Sequence, residues 1–175
     1  VQKEKELLKA FPYKEGYSLY IGIPFCPSTC LYCSFTSYSI DQFENIVQDY
    51  LEALLKELDF VAKTYANKEL QTMYIGGGTP TSLKEEDLEY LLYEVNKRVP
   101  FSKIQEITVE AGRPDSLNFE KLKILKKYGV TRISINPQSM NDKTLKLIGR
   151  NHFAQDIKEK FNLARQAGID NINMD

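Results

Sequence analysis

Residues 17–35 read YSLYIGIPFCPSTCLYCSF. The first seven, 17–23, are aromatic, apolar or small, and the run predicts a strand. Pro24 and Pro27 then flank Cys26. A proline cannot donate to a sheet ladder, so the strand must give way to an irregular loop here. All three cysteines of the chain, Cys26, Cys30 and Cys33, fall in that loop with the spacing C-x3-C-x2-C. An odd number of closely spaced thiols cannot complete a disulfide framework. Three thiolates can instead grip one soft metal site and leave a coordination position open.

The same strand-then-loop unit recurs along the chain. After the cysteines, Asp41 with Glu44 predicts a capping box, and Phe43, Ile46, Val47, Tyr50, Leu51, Leu54, Leu55 and Leu58 repeat at helical spacing. A strand at 72–75 runs into Gly76-Gly77-Gly78-Thr79-Pro80, and Ser82 with Glu85 predicts the cap of a helix carrying Leu88, Leu91, Leu92 and Val95. A strand at 106–109 leads to Glu110 and then Arg113, followed by a helix with Phe119, Leu122 and Leu125 that finishes at Gly129. The last strands are expected at 131–135 and 171–174, separated by a short helix up to Gly149 and a longer one from 153 to 168.

Strands alternating with helices imply an α/β fold with a parallel sheet. We expect a partial (β/α) barrel with outer helices, the alternative being a flat doubly wound sheet. Residues 1–16 read as a lead-in segment and 17–175 as the core. The fifth strand opens just before Asp175, so the chain reads as a domain cut from a longer protein.

Composition sets limits on partners. The 175 residues are 42% hydrophobic and 27% charged, with a formal net charge of -1. That balance offers no electrostatic footprint for nucleic acid. No apolar run reaches membrane-spanning length, and the first residues lack the apolar core of a secretory signal. A reducing, cytoplasmic location suits the free thiols. His152 is the only histidine, and a lone histidine at a helix start reads as a surface residue.

Ligand sites in parallel α/β folds gather where strands end. The cysteine loop, the Gly76–Gly78 run, Glu110, Gln138 and Asp175 each follow or close a different predicted strand, which indicates one composite site. A structural zinc site is the competing reading of the thiols, although zinc usually takes four protein ligands. The glycine run has neither the Lys-Ser/Thr ending of a P-loop nor the spacing of a dinucleotide fingerprint. Its missing side chains allow close backbone approach to a ligand.

The cysteine spacing, with Tyr32 just before the third thiol, resembles the cluster motif of the radical S-adenosylmethionine superfamily. IPFCPSTCLYCSF, GGGTP, VEAGRPD, NPQSM, LIGRNH and NINMD resemble its oxygen-independent coproporphyrinogen III oxidase/dehydrogenase branch, which also contains haem chaperones, and most of all the HemZ-like subgroup. The resemblance implies that Cys26, Cys30 and Cys33 hold a [4Fe-4S] cluster whose fourth iron takes S-adenosyl-L-methionine. It implies that Gly76, Gly77, Gly78 and Thr79 lie against the methionyl group, with Tyr20 and Tyr32 near the cofactor. Glu110, Gln138 and Asp175 would bond its ribose or nearby polar groups, and Arg150 would place a carboxylate. Arg113 is expected to reach a substrate carboxylate.

The implied reaction starts from a 5'-deoxyadenosyl radical and oxidatively decarboxylates coproporphyrinogen III in haem biosynthesis. No catalytic side chain is assigned beyond those holding cluster and cofactor. The implied partners are a porphyrinogen-type substrate and an electron donor such as flavodoxin or ferredoxin. The alternatives are a haem-binding chaperone on the same scaffold and a structural zinc module. One departure stands out: where the anaerobic dehydrogenase typically adds a further cysteine, this chain has Phe35.

Overall fold

Five strands pair side by side in the order the chain makes them. The computed structural model describes residues 3, 6, 16–35 and 37–175; the expected lead-in over 1–16 lies outside the described residues except at 3, 6 and 16. In chain order the strands are β1 (Gly16–Ile23), β2 (Phe25–Cys26), β3 (Tyr38–Ser39), β4 (Glu69–Gly77), β5 (Glu106–Glu110), β6 (Arg132–Ser134) and β7 (Asn171–Asn173). The main sheet is β1-β4-β5-β6-β7, with every pair parallel. The helices are α1 (Ile40–Phe43), α2 (Val47–Thr64), α3 (Glu85–Arg98), α4 (Phe119–Lys127), α5 (Asp142–Leu147) and α6 (Ala154–Gln166).

The strand order decides between the two expected architectures. A doubly wound sheet reverses direction at a switch point and carries helices on both faces. Here no reversal occurs, and neighbouring helices also follow chain order, α2 on α3, α3 on α4 and α4 on α6. Side chains alternate accordingly along each strand. Ile21, Ile23, Met73, Ile75, Ile107, Val109 and Ile133 are buried in one apolar core with Leu51, Leu55, Leu91, Leu92, Leu122 and Ile157 from the helices. The intervening positions, among them Ser18, Tyr20, Thr72, Tyr74, Glu110 and Ser134, bear hydroxyls or a carboxylate. Fully buried parallel strands read as continuous apolar runs; these alternate, which leaves one face polar. The protein is a parallel α/β partial barrel with its helices outside.

Two expected helix caps are absent. Instead of one helix opening at Asp41, α1 makes a single turn, a 3-10 turn spans Glu44–Ile46, and only then does α2 begin. The Glu44 carboxylate pairs with Lys84 rather than capping its own helix. Ser82 lies within a 3-10 turn, Pro80–Ser82, and its hydroxyl donates to the carbonyls of Thr79 at 2.6 Å and Phe25 at 3.1 Å. Its capping capacity is spent on fixing the glycine loop, and α3 starts after Lys84. Asparagines cap two helices, Asn118 accepting from the Lys121 N–H at 2.9 Å and Asn141 from those of Lys143 and Thr144 at 3.0 and 3.3 Å, while Asp156 accepts from the Phe153 N–H at 2.7 Å at the start of α6. No described helix is long and apolar enough to cross a membrane.

Candidate functional site

Where β1 ends, the chain crosses Pro24 and forms a clip that sequence patterning does not reveal. β2 pairs with β3 in parallel, Phe25 opposite Tyr38 and Cys26 opposite Ser39, while the Tyr38 N–H donates to the Pro24 carbonyl at 2.8 Å. The loop between them is thus closed at its base and carries Cys30 and Cys33 as an excursion. Inside it the Cys33 N–H donates to the Cys30 carbonyl, and the Leu31 N–H to the Ile148 carbonyl, both at 3.1 Å. All three cysteines are free thiols, Cys30 buried and the other two half-buried.

The three thiols border one cavity of about 200 Å³, shared with Gly77, Gly78, Thr79, Glu110, Gln138 and Arg150. Every strand of the main sheet up to β6 delivers a wall residue or leads into one. A second cavity of about 290 Å³ adjoins it across Phe35, Gly77 and Gly78, walled by Tyr20 and Tyr50. A larger one, about 570 Å³, lies at the other end of β1 and β4 by Tyr17 and Leu70. It contains no thiol, and its Arg98 is committed to Asp59 and Glu94, so size does not mark the chemistry here.

The glycine loop is positioned by backbone bonds to the cysteine strand. The N–H groups of Gly78 and Thr79 donate to the carbonyls of Ile23 and Phe25, each at 2.7 Å. A Cβ on Gly78 would sit 2.6 Å from the Phe25 oxygen and 3.1 Å from the Cys26 sulfur. Gly77 has φ +105°, a conformation that disfavours any side chain. The loop therefore needs glycine for contact between its own backbone and that of the cysteine strand. Next to it the Thr79 hydroxyl lies 3.4 Å from the Cys26 sulfur. Burial pushes the Cys26 thiol pKa up, against the downward pull of Thr79 and of the Arg113 charge.

The Glu110 carboxylate accepts from the Tyr74 hydroxyl. Burial and this bond push the Tyr74 phenol well above its ordinary range. Tyr74 stacks on Tyr20 with ring centroids 5.7 Å apart and planes at 9°. Tyr20 is 61% exposed and faces the second cavity, so it is set apart from the thiols. Tyr32 lines the thiol cavity, and burial pushes its pKa up to about 12 against the pull of Arg150. Gln138 has φ 63°, and its backbone N–H donates to an Asp175 carboxylate oxygen at 3.1 Å while its side-chain amide bonds the other. These two residues are thus joined to each other, tying the loop after β6 to the end of β7.

Two arginines and the histidine have settings that sequence patterning does not disclose. Arg113 spends its guanidinium on protein partners. It is buried, and all five of its N–H donors have partners: the Asp115 carboxylate at 3.0 and 2.7 Å, the Ser28 carbonyl and hydroxyl at 3.1 and 3.0 Å, and the Cys30 sulfur at 3.4 Å. Arg150 is also buried, with one guanidinium nitrogen bridging the carbonyls of Gly112 and Asn136 and the other 3.9 Å from the Cys30 sulfur. It joins the loops after β5 and β6 beneath the cysteines. His152 is buried rather than a surface residue, and neither ring nitrogen makes a hydrogen bond of good geometry to a described residue. Burial, then the Arg150 charge, lowers its pKa, while Asp115 opposes the shift.

The donor set fits an iron–sulfur cluster better than a single ion. Among the described residues no three Cys, His, Asp or Glu side chains converge on a point that one metal could occupy. A cubane needs no such point, because its thiolates bind separate irons around a shared space. The three thiols on one cavity, with two guanidiniums behind Cys30 to offset anionic charge, meet that requirement. Asp115, Ser28 and Tyr74 were not foreseen as site residues. Only Asp115 left a trace in the sequence, two positions after Arg113.

Comparison with known proteins agrees with this geometry. The family described as the Radical SAM superfamily matches residues 20–175. The oxygen-independent coproporphyrinogen-III oxidase-like protein HemZ of Bacillus subtilis is 47% identical over 165 residues, 93% of this chain and 33% of that protein. Heme chaperone HemW of the same organism is 46% identical, over 90% of this chain and 41% of that protein. This chain therefore spans less than half of either relative. The solved structure of coproporphyrinogen III oxidase (HemN) from Escherichia coli, described as a radical SAM enzyme, superposes with a TM-score of 0.82 at 27% identity, covering 98% of this chain and 39% of that one. A more distant structure, anSMEcpe with bound AdoMet, shares the fold at 16% identity and a TM-score of 0.58.

Proposed function

Because this chain belongs to the radical S-adenosylmethionine superfamily, we propose that it is the cofactor-bearing core of an enzyme that oxidatively decarboxylates coproporphyrinogen III without oxygen. The observation that carries this reading is the meeting of Cys26, Cys30, Cys33 and the Gly77-Gly78 backbone on one cavity at the ends of parallel strands. When bound, a [4Fe-4S] cluster and S-adenosyl-L-methionine supply the one-electron cleavage and the carbon radical that takes hydrogen from an unactivated carbon.

The protein's own residues bind, orient and shield. The three cysteines hold the cluster, and the β2–β3 clip fixes the loop that presents them. Gly77 and Gly78 expose backbone to the cofactor. Glu110, oriented by Tyr74, and Gln138, oriented by Asp175, offer acceptor and amide groups at the cavity wall. Tyr20, Phe35 and Tyr50 wall the adjoining cavity with aromatic surface that could meet an apolar edge of the substrate. The electron donor in this reading is a small one-electron carrier such as flavodoxin or ferredoxin, in a reducing cytoplasm.

A second reading has its own support. HemZ and HemW match this chain almost equally, and HemW is named a chaperone; Phe35 also replaces the additional cysteine of the anaerobic dehydrogenase. On this reading the same cluster site serves haem delivery. The deciding experiment uses the full-length protein, reconstituted anaerobically with reductant, S-adenosyl-L-methionine and coproporphyrinogen III. Vinyl products with 5'-deoxyadenosine establish the oxidase reading. Tight haem binding with transfer to an acceptor and no vinyl product establishes the chaperone. Deoxyadenosine without either result keeps the radical chemistry and removes the substrate.

A further inference from the structure

The three cysteines are not equivalent. Cys26 and Cys33 are half-buried, whereas Cys30 is buried against a guanidinium whose every donor is spent. The geometry points to Arg113 as a positioning residue that holds Cys30 by an N–H···S bond and raises the reduction potential of the cluster it ligates. The inference rests on the cluster reading above and adds to it a residue and a function.

The arrangement is directional. The Asp115 carboxylate occupies the Nε–Nη2 edge of the guanidinium, at 3.0 and 2.7 Å. The opposite nitrogen, Nη1, is left to face the sulfur at 3.4 Å and the Ser28 carbonyl at 3.1 Å. Bidentate pairing fixes the plane of an arginine, so Asp115 aims the donor and cannot swing round to the sulfur itself. An N–H pointing at a thiolate withdraws electron density from it and stabilises the added electron of the reduced cluster more than the oxidised state. Hydrogen bonds to cluster sulfurs, together with burial, are among the principal settings of cluster potential. The sulfur lies in the interior, where the local dielectric is low and such a bond is felt strongly.

Loop anchoring and tuning can be separated, because Arg113 also holds Ser28. Ser28 supplies two tethers that bypass the sulfur, and its hydroxyl contact to Nη2 at 3.0 Å can be deleted alone. A purely structural Arg113 would alter how much cluster the protein retains. A tuning Arg113 alters the potential of each cluster that is retained.

The test is an electron paramagnetic resonance redox titration of the full-length, anaerobically reconstituted protein and three variants, with iron and sulfide measured on each. For Arg113→Gln we expect the reduction equilibrium of the remaining cluster to shift about tenfold toward the oxidised form, which corresponds to a potential about 59 mV lower for one electron. Arg113→Lys retains a charged donor without the fork and should recover part of that shift; it also gives a readable protein if the glutamine variant folds poorly. Ser28→Ala should leave the potential at its wild-type value even where cluster content falls. Unchanged potentials in both Arg113 variants overturn the inference, as does an equal shift in Ser28→Ala, which would assign the effect to loop slack. Wild-type protein that takes up no [4Fe-4S] cluster instead fails the functional reading itself, and the two failures are distinct.

Discussion

The two faces of the five-stranded sheet are built from adjacent residues and do opposite work. On the helix side Ile75, Val109 and Ile133 pack into the common apolar core. One residue away, on the other face, Tyr74, Glu110 and Ser134 carry hydrogen-bonding groups, with the Tyr74 hydroxyl on the Glu110 carboxylate. A parallel strand buried on both sides could not carry this pattern. The difference shows that stability and site chemistry are divided by residue parity along each strand. Substitutions should therefore sort by face, and that sorting can be broken.

The largest expected stability effect is on the helix side. Leu91 is completely buried on α3, and Leu91→Ala should cost about 2–5 kcal/mol in chemical denaturation. The wild-type potential of the bound cluster should be retained. A loss below 1 kcal/mol would mean that the apolar face is less tightly packed than its burial implies.

Next comes Gly78, where the two regions meet. Gly78→Ala places a Cβ within 2.6 Å of the Phe25 carbonyl, an overpacking that should cost about 1–3 kcal/mol. The displaced loop should also lower iron uptake during reconstitution, measured as iron per protein. Normal uptake would show that the glycine loop and the cysteine strand are not coupled.

Tyr74→Phe tests the polar face. It deletes a hydrogen bond to a charged acceptor, worth about 1.5–3 kcal/mol before allowing for partial exposure, so a net cost near 1 kcal/mol is expected. The larger readout should be weakened S-adenosyl-L-methionine binding, measured by calorimetry, because Glu110 loses its orienting partner. Unchanged affinity would separate Glu110 from the cofactor.

The smallest effect concerns His152, whose pKa is lowered in the folded protein by burial and Arg150. Its unfolded form binds a proton more readily, so its contribution to stability is fully present above about pH 6.5 and declines as pH falls below that value. Denaturation midpoints between pH 7 and 5 should fall in the wild type and fall less in His152→Leu. Parallel profiles would place His152 in an environment that admits its charged form.

The fold was legible wherever apolar residues alternate over a whole strand, as in 17–23 and 106–109, because one face must be covered. The thiols, the glycine run and Glu110 were legible because each directly follows such a strand. The β2–β3 clip was not, since two residues carry no periodicity. The Asp41–Glu44 and Ser82–Glu85 caps were misread because capping residues have other partners available: Lys84 takes Glu44, and the Phe25 carbonyl takes Ser82. Arg113 and Ser28 lie 85 positions apart, a pairing that local patterning does not encode. His152 reads as surface because it is a lone histidine just before a helix, although the fold buries it beside two arginines.

The division between faces has meaning only if the polar end of the sheet receives the cofactors its thiols and glycines imply. Electron paramagnetic resonance of the dithionite-reduced, anaerobically reconstituted full-length protein, recorded before and after addition of S-adenosyl-L-methionine, tests this directly. A [4Fe-4S] signal is expected whose g-values shift when the sulfonium cofactor binds the open iron, with the signal abolished in Cys30→Ala. A cluster signal indifferent to the cofactor, or stoichiometric zinc in place of iron and sulfide, would contradict it.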